Sequence, residues 1–320
     1  MLERELKLYI PGNSMAALKQ RMATLNPQSH TLRATYYDTP DRALAHAKAA
    51  LRVRLENDVW VQTLKMAGPD ELSKIELNHN LSHQALELEK FKNGPAYPLI
   101  KSVARELQPR YQTCVARQTA RVKVGESLVE IALDEGVIKA GNSELSISEI
   151  EFELISGPVD ALFEIGEAWL TDFQLILELR SKSERGDALA KFCARESLDA
   201  DMTPAEALAR RPYRLNTMSL VHSVTMQDCY ANSASAYLTQ VIRNAAFLSG
   251  IDNIRASAGQ QASYLALMRV GMRRLRSCRR LFRPWMTHSE KNLAKSYATI
   301  FPNLERHATT IFYCWRFSPN

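Results

Sequence analysis

The chain has 320 residues, 46% apolar and 24% charged, which is the composition of folded domains and excludes a disordered chain. Its net charge of +6 is unevenly spread, since residues 1–200 hold 25 Lys and Arg against 29 Asp and Glu whereas 201–320 hold 16 against 6. Such a split suggests that the C-terminal part meets something anionic. No run approaches the about 18–20 apolar residues of a membrane span, and the start MLERELKLYI is too charged for a signal peptide. Cys114, Cys193, Cys229, Cys278 and Cys314 stand singly with no C-x-x-C pair, which argues against a zinc ribbon or a disulfide framework. The expectation is a cytoplasmic protein with reduced thiols and no membrane partner.

In chain order, period-two alternation predicts a strand at 3–8, and Met15, Leu18, Met22 and Leu25 then share one face of a helix at about 14–25. Further strands are predicted at 51–55, 60–66, 129–133 and 148–154. Ser156 and Gly157 lead into Pro158 at the first turn of a helix expected over 158–171. Residues 201–224 form the expected linker, its first part holding Pro204, Pro212 and three arginines. Helix periodicity follows at about 228–249, 259–283, 288–300 and 303–316. The chain is therefore expected to be α+β: an antiparallel sheet or barrel domain over 1–200, then an all-α helical-bundle segment over 225–320.

The polar faces of the strands carry the chemistry. Side chains alternate along a strand, so Glu3, Glu5 and Lys7 point one way while Leu6 and Leu8 point the other. Arg52 and Arg54 alternate with Leu51, Val53 and Leu55, Lys65 lies opposite Leu64 and Met66, and Lys74 and Glu76 flank Ile75. Arg117, Glu130 and Asp134 come next, then Glu149, Glu151 and Glu153 against Ile150, Phe152 and Leu154. A sheet with one wet face would give apolar-in, charged-out alternation, but it would mix in Ser, Thr and Gln. Like charges two residues apart repel, and are tolerated where a cation sits between them. Hard divalent cations take carboxylate oxygens, a role suited to Glu3, Glu5 and the strand of Glu149, Glu151 and Glu153. Arg52, Arg54, Lys65 and Arg117 suit phosphate oxygens.

These residues resemble a known family. Glu3-Arg4-Glu5-Leu6-Lys7 is similar to the Glu-x-Glu-x-Lys signature of the CYTH domain, the triphosphate tunnel metalloenzyme superfamily. Tyr36-Tyr37-Asp38-Thr39-Pro40, Leu51-Arg52-Val53-Arg54, Thr63-Leu64-Lys65, Glu149-Ile150-Glu151-Phe152-Glu153 and Ser181-Lys182-Ser183-Glu184-Arg185-Gly186 resemble its later landmarks in order, over about 1–195. The resemblance implies an antiparallel eight-stranded β-barrel whose tunnel binds a linear triphosphate with Mg²⁺ or Mn²⁺, two ions in all. It implies Glu3 and Glu5, with two of Glu149, Glu151 and Glu153, as metal ligands. Lys7, Arg52, Arg54, Lys65, Arg117, Lys182 and Arg185 are implied as phosphate ligands. Glu76, Glu130 and Asp134 are further acidic tunnel groups, and Glu3, Glu5, Lys7, Glu76, Asp134 and Glu151 form the expected catalytic set. Lys74 stands where the family pattern suggests Arg.

The expected activity is hydrolysis of inorganic triphosphate to pyrophosphate and phosphate. Alternatives are a non-catalytic polyphosphate or nucleotide sensor, an adenylate cyclase of the class IV type and a thiamine triphosphatase. In the C-terminal part, Arg269, Arg273, Arg276, Arg280 and Arg283 line one stripe of a helix at about 100° per residue. Leu267, Val270, Leu275, Cys278, Leu281 and Phe282 are expected around the opposite side. The stretch 268–276 resembles the core of CHAD domains, which implies polyphosphate as the partner of this helix. Ala266 stands at the family's histidine, and the chain spans about half of such a module, implying a partial CHAD domain. Nucleic acid is the competing polyanion, disfavoured because few aromatic residues interleave the arginines.

Overall fold

The alternation becomes strands in the computed structural model, which describes residues 2–68, 73–194, 212–215, 225–252 and 257–286. The strands are β1 (Leu2–Tyr9), β2 (Gln28–Asp38), β3 (Ala49–Glu56), β4 (Val59–Ala67), β5 (Ser73–Leu81), β6 (Gln108–Val124), β7 (Ser127–Ala140), β8 (Ser143–Ser156) and the short β9 (Ile176–Leu177). The helices are α1 (Met15–Ala23), α2 (Ala43–His46), α3 (Tyr97–Val103), α4 (Asp160–Phe173), α5 (Lys182–Cys193), α6 (Met226–Leu248) and α7 (Ala258–Phe282). The helices expected at 288–300 and 303–316 lie outside the described residues, as does most of the expected linker.

Tight turns set the hairpin registers. Asn57 and Asp58 both take positive φ in a two-residue loop, so β3 and β4 pair from Glu56↔Val59 up to Ala49↔Met66. The sheet runs β5-β4-β3-β2-β6-β7-β8-β1, and β1 returns to β5 through Leu2↔Ile75 and Glu3↔Lys74, which closes an eight-stranded barrel. Closure removes sheet edges. β9 adds to β1 through Leu8↔Leu177.

The barrel is polar inside, so much of its core lies outside the wall. Leu51 and Leu64 point outward from β3 and β4 and are fully buried by Leu44 of α2, Phe91, and Ile100 and Val103 of α3. Burial of side chains of this size stabilises by about 1.5–3 kcal/mol each, which makes the covering helices part of the barrel's stability.

α5 packs on β6, β7 and β8. Ser181 caps it by accepting from Glu184 N. Tyr111 donates to the Ser183 carbonyl at 3.0 Å and stacks on Tyr36 with ring centroids 4.6 Å apart. Gly186 lies so close beneath Tyr111 that a Cβ there would come within 2.3 Å of the ring. A second tie joins α5 to the turn before α2, where Arg42 donates through Nε to Asp187 at 2.8 Å and pairs with its other oxygen. That turn is itself fixed by Asp38, whose carboxylate accepts from the backbone N–H groups of Thr39, Leu44 and Ala45.

Among the described residues, one compact unit holds 2–7, 15–165 and 180–194, and the other holds 8–14, 166–179 and the residues from 212 onward. In the second unit α6 and α7 both begin with capping boxes, Thr225 with Asp228 and Ser257 with Gln260. Their close approach needs Gly271, where a Cβ would meet Val241 at 2.9 Å. Segment 212–215 is bound to them: Asn244 accepts from Tyr213 N and donates to its carbonyl, and Gln240 accepts from Leu215 N. Arg269, Arg273, Arg276, Arg280 and Arg283 are all exposed. Leu281, expected on the apolar side, is 66% exposed, because it sits about 100° around the helix from the buried stripe of Tyr264, Met268, Gly271, Leu275, Cys278 and Phe282.

The contact beneath Tyr111 is directly testable. Gly186→Ala should destabilise the protein by about 1–3 kcal/mol through overpacking, read as a lower urea midpoint at unchanged m-value. An unchanged midpoint would mean that the Tyr111 ring gives way without cost.

Candidate active site: a tunnel of opposed charges

The inward residues of the barrel line a cavity of about 560 Å³. Among the described lining residues, seven are cationic (Lys7, Arg52, Arg54, Lys65, Arg117, Arg121, Lys182) and eight are carboxylic (Glu3, Glu5, Glu56, Glu76, Glu130, Asp134, Glu151, Glu153). The tunnel therefore holds many charges but no surplus of positive ones.

The charges fall into two clusters. Around β1, Lys65 reaches Glu3 at 2.6 Å, Glu5 at 3.2 Å and Glu76 at 3.4 Å. Three carboxylates on one ammonium are unequal. Burial pushes Glu3 up to about 8 against the pull of Lys65, and it hydrogen-bonds to Glu76. Glu76 is held down to about 2 despite its burial by that hydrogen bond, Arg52 and Lys65.

Around α5, Arg117 grips Asp134 through two bonds of 2.7 and 2.6 Å and reaches Glu151 at 2.6 Å. Lys182 lies 2.7 Å from Asp134 and 2.9 Å from Glu151, and it also pairs with Glu149. Asp134, Glu149 and Glu151 offer oxygens within 4.8 Å of one another, the all-oxygen donor set that hard divalent cations prefer. Facing these clusters is a cationic group. Arg54 is pushed down to about 10 by burial and by repulsion from Arg52 and Arg117, with Glu56 its paired carboxylate. Arg52 donates to the Tyr36 hydroxyl at 3.3 Å and keeps the phenol below its ordinary value although burial opposes this. Guanidinium groups crowded in this way favour an incoming anion.

The structure brings Glu3, Glu5, Lys7, Arg52, Arg54, Lys65, Glu76, Arg117, Glu130, Asp134, Glu151, Glu153 and Lys182 to one cavity. Two expected site residues do not line it. Glu149 is 1% exposed behind Lys182, where its carboxylate belongs to the oxygen set of Asp134 and Glu151, while Glu151 and Glu153 face the cavity. Arg185, expected to touch phosphate, is 2% exposed, donates to the Ser146 carbonyl at 2.7 Å and lies 4.0 Å from Glu149. The depth of a strand residue depends on its partners across the sheet, which alternation does not reveal. Tyr36 and His30 also line the cavity and were not assigned from sequence. The inward phase of β2 was the available signal.

The CYTH domain model matches residues 1–186. The chain belongs to the CYTH family. Over 190 residues it is 36% identical to an inorganic triphosphatase of Haemophilus influenzae, covering 58% of this chain and 54% of that protein. This CYTH chain thus spans about half the length of the curated relative it matches. Among solved structures it is similar to a Hippeastrum protein with a dominant triphosphatase activity (17% identical, TM-score 0.44, covering 57% of this chain and 94% of that one). It is also similar to the PH1819 protein of Pyrococcus horikoshii (22% identical, TM-score 0.39, covering 57% and 96%). Among the described residues no helix is long and apolar enough to cross a membrane.

The two shifted carboxyls of the β1 cluster give opposite pH signatures. Glu3 holds more protons folded than unfolded between its ordinary value of 4.5 and about 8, so its stabilising contribution is lost as pH rises through that window. The contribution of Glu76 is present above 4.5 and is lost as pH falls toward about 2. Denaturant unfolding of wild type should therefore weaken from pH 5 to pH 9, with a shallower decline in Glu3→Gln. Equal slopes for the two proteins would contradict the assignment of the shared proton to Glu3.

Proposed function

We propose that the barrel hydrolyses inorganic triphosphate to pyrophosphate and phosphate with Mg²⁺ or Mn²⁺, two ions per tunnel, in the cytoplasm. The observation that carries this reading is the near balance of charge inside the cavity. A linear triphosphate brings several negative charges to a site whose own cations are already matched by carboxylates, so divalent cations are needed to complete the neutralisation. The matched Haemophilus influenzae relative supports the substrate class, and the free thiols of Cys114, Cys193, Cys229 and Cys278 suit a reducing compartment.

On this reading Arg52, Arg54 and Arg117 grip phosphate oxygens by their forked donors, and Lys7, Lys65 and Lys182 act as point charges. Glu3 and Glu5, with two of Glu149, Glu151 and Glu153, would hold the metal ions. A divalent ion bound there neutralises phosphate charge and makes a bound water more acidic. Glu153, whose carboxyl is pushed above its ordinary value by burial and by Glu130, would orient the attacking water and accept its proton as the bond to the departing pyrophosphate breaks. Little covalent work is asked of the protein, since positioning and charge stabilisation supply most of the catalysis in phosphoryl transfer.

Phosphate release should be measured on inorganic triphosphate, ATP and thiamine triphosphate, each with Mg²⁺, Mn²⁺ or EDTA. The expected outcome is release from inorganic triphosphate alone, abolished by EDTA and lowered at least about 10²-fold in Glu5→Ala, the scale of a lost charge-stabilising group. Pyrophosphate release from ATP with a cyclic product would establish a cyclase, preference for thiamine triphosphate a thiamine triphosphatase, and binding without turnover a sensor.

The exposed arginine stripe of α7 is proposed to bind polyphosphate. Neutralising phosphates releases counterions, so affinity should fall steeply with salt. Replacing Arg269, Arg273 and Arg280 with Gln should weaken polyphosphate binding at least about tenfold and flatten the salt slope. Equal affinity for single-stranded DNA would replace this reading with a general polyanion surface.

A further inference from the structure

Two cations neutralise the trio of buried Asp134 and Glu149 and half-buried Glu151 from the α5 side, and they are not alike. Arg185 is anchored at the back, with its guanidinium 1% exposed, its donor on the Ser146 carbonyl and Glu149 4.0 Å away. Lys182, one turn earlier, lines the cavity, and its ammonium is surrounded by one oxygen from each of the three carboxylates. A rigid fork suits a fixed partner, whereas a compact charge on a four-carbon stem can leave one set of oxygens for another.

The ammonium sits where a divalent cation held by this trio would have to sit, and two cations cannot share it. With Lys182, Arg117 and Arg185 in place, three positive charges already face three carboxylates, so an added divalent ion would leave a buried surplus of two. The position opens only if the ammonium moves to another anion, and the cavity it borders is the one read above as a phosphate tunnel.

We propose that Lys182 is an internal counter-cation that excludes divalent metal from the trio of Asp134, Glu149 and Glu151 until a phosphate chain draws its ammonium away. The proposal rests on the reading of the tunnel as a metal-assisted phosphate site. It adds an order of events: the trio takes metal together with the phosphate chain and not before it. Lys182 then couples the two ligands, each favouring the other through one side chain.

The test is equilibrium binding of Mn²⁺, followed by calorimetry and by the electron paramagnetic resonance signal of free Mn²⁺, with no turnover required. Lys182→Met should bind at least one more Mn²⁺ than wild type, or bind it at least tenfold more tightly, when no phosphate is present. Lys182→Arg should not. Adding Glu149→Gln to Lys182→Met should remove the gain, which places it at the trio. In wild type, the imido analogue of triphosphate should tighten Mn²⁺ binding, and the tightening should shrink in Lys182→Met. Lys182→Gln, checked for native circular dichroism and melting, stands in if the Met variant does not fold. Wild-type Mn²⁺ affinity in a folded Lys182→Met or Lys182→Gln, or a gain that survives Glu149→Gln, overturns the proposal. These results are independent of activity: hydrolysis without the predicted gain sinks the proposal and leaves the triphosphatase reading, and the gain without hydrolysis does the reverse.

Discussion

Among the described residues, fifteen Lys, Arg, Asp and Glu side chains share the interior of one small barrel, and the requirement that they neutralise one another governs the architecture around them. Isolated charges removed from bulk water cost several kcal/mol each. The barrel meets this by setting carboxylates and cations on strands that the register brings together, as with Lys65↔Glu76 across β4 and β5 and Arg117↔Asp134 across β6 and β7. The apolar half of each strand then has nowhere to go but outward. That is why short helices such as α2 and α3 lie against the outer wall and carry the core that an ordinary barrel would keep inside.

The same requirement explains why α5 is tied down so heavily. It delivers a cation into the carboxylate trio, and a small shift of its first turn would leave three buried negative charges poorly matched. Gly186 under Tyr111, the Tyr111 bond to Ser183, and the Arg42 pair with Asp187 all restrain this one helix. The Asp38 cap of α2 belongs to the same structure, because it fixes the turn from which Arg42 reaches out. Residues remote from the chemistry thus act on it through the position of a single turn.

Much of this was legible in the sequence, for a physical reason. A strand displays its two faces at strict period two, so charged side chains on one face and Leu or Val on the other separate the two faces. That the charged face of Glu3, Glu5, Lys7, Arg52 and Arg54 points inward followed from the resemblance to the CYTH domain and not from alternation. Alternation does not report depth. Glu149, Glu151 and Glu153 look equivalent along β8, yet only the first is sealed, because Lys182 and Arg185 of α5 cover that end of the strand. The partners of Asp38 and Arg42 were equally invisible: six and 145 residues separate Asp38 from Leu44 and Arg42 from Asp187. The exposed Leu281 shows the corresponding limit for helices, where a residue at the border of a stripe can fall on either side.

Charge balance also constrains selectivity. A tunnel with a large positive surplus would bind any polyanion and release it slowly. Here the cations facing the cavity are held by carboxylates, and a phosphate chain must displace those contacts to gain its own. On the proposed reading, the exchange is favourable only where the freed carboxylates find a cation in turn, which would tie anion binding to metal binding. Arg54, pressed by Arg52 and Arg117 and paired with Glu56, is a point at which incoming negative charge relieves repulsion, and on the proposed reading a phosphate chain would place charge there. On the proposed reading, a neutral or singly charged ligand gains too little to offset breaking several internal ion pairs, so the tunnel would discriminate by the number of charges a ligand brings as much as by its shape.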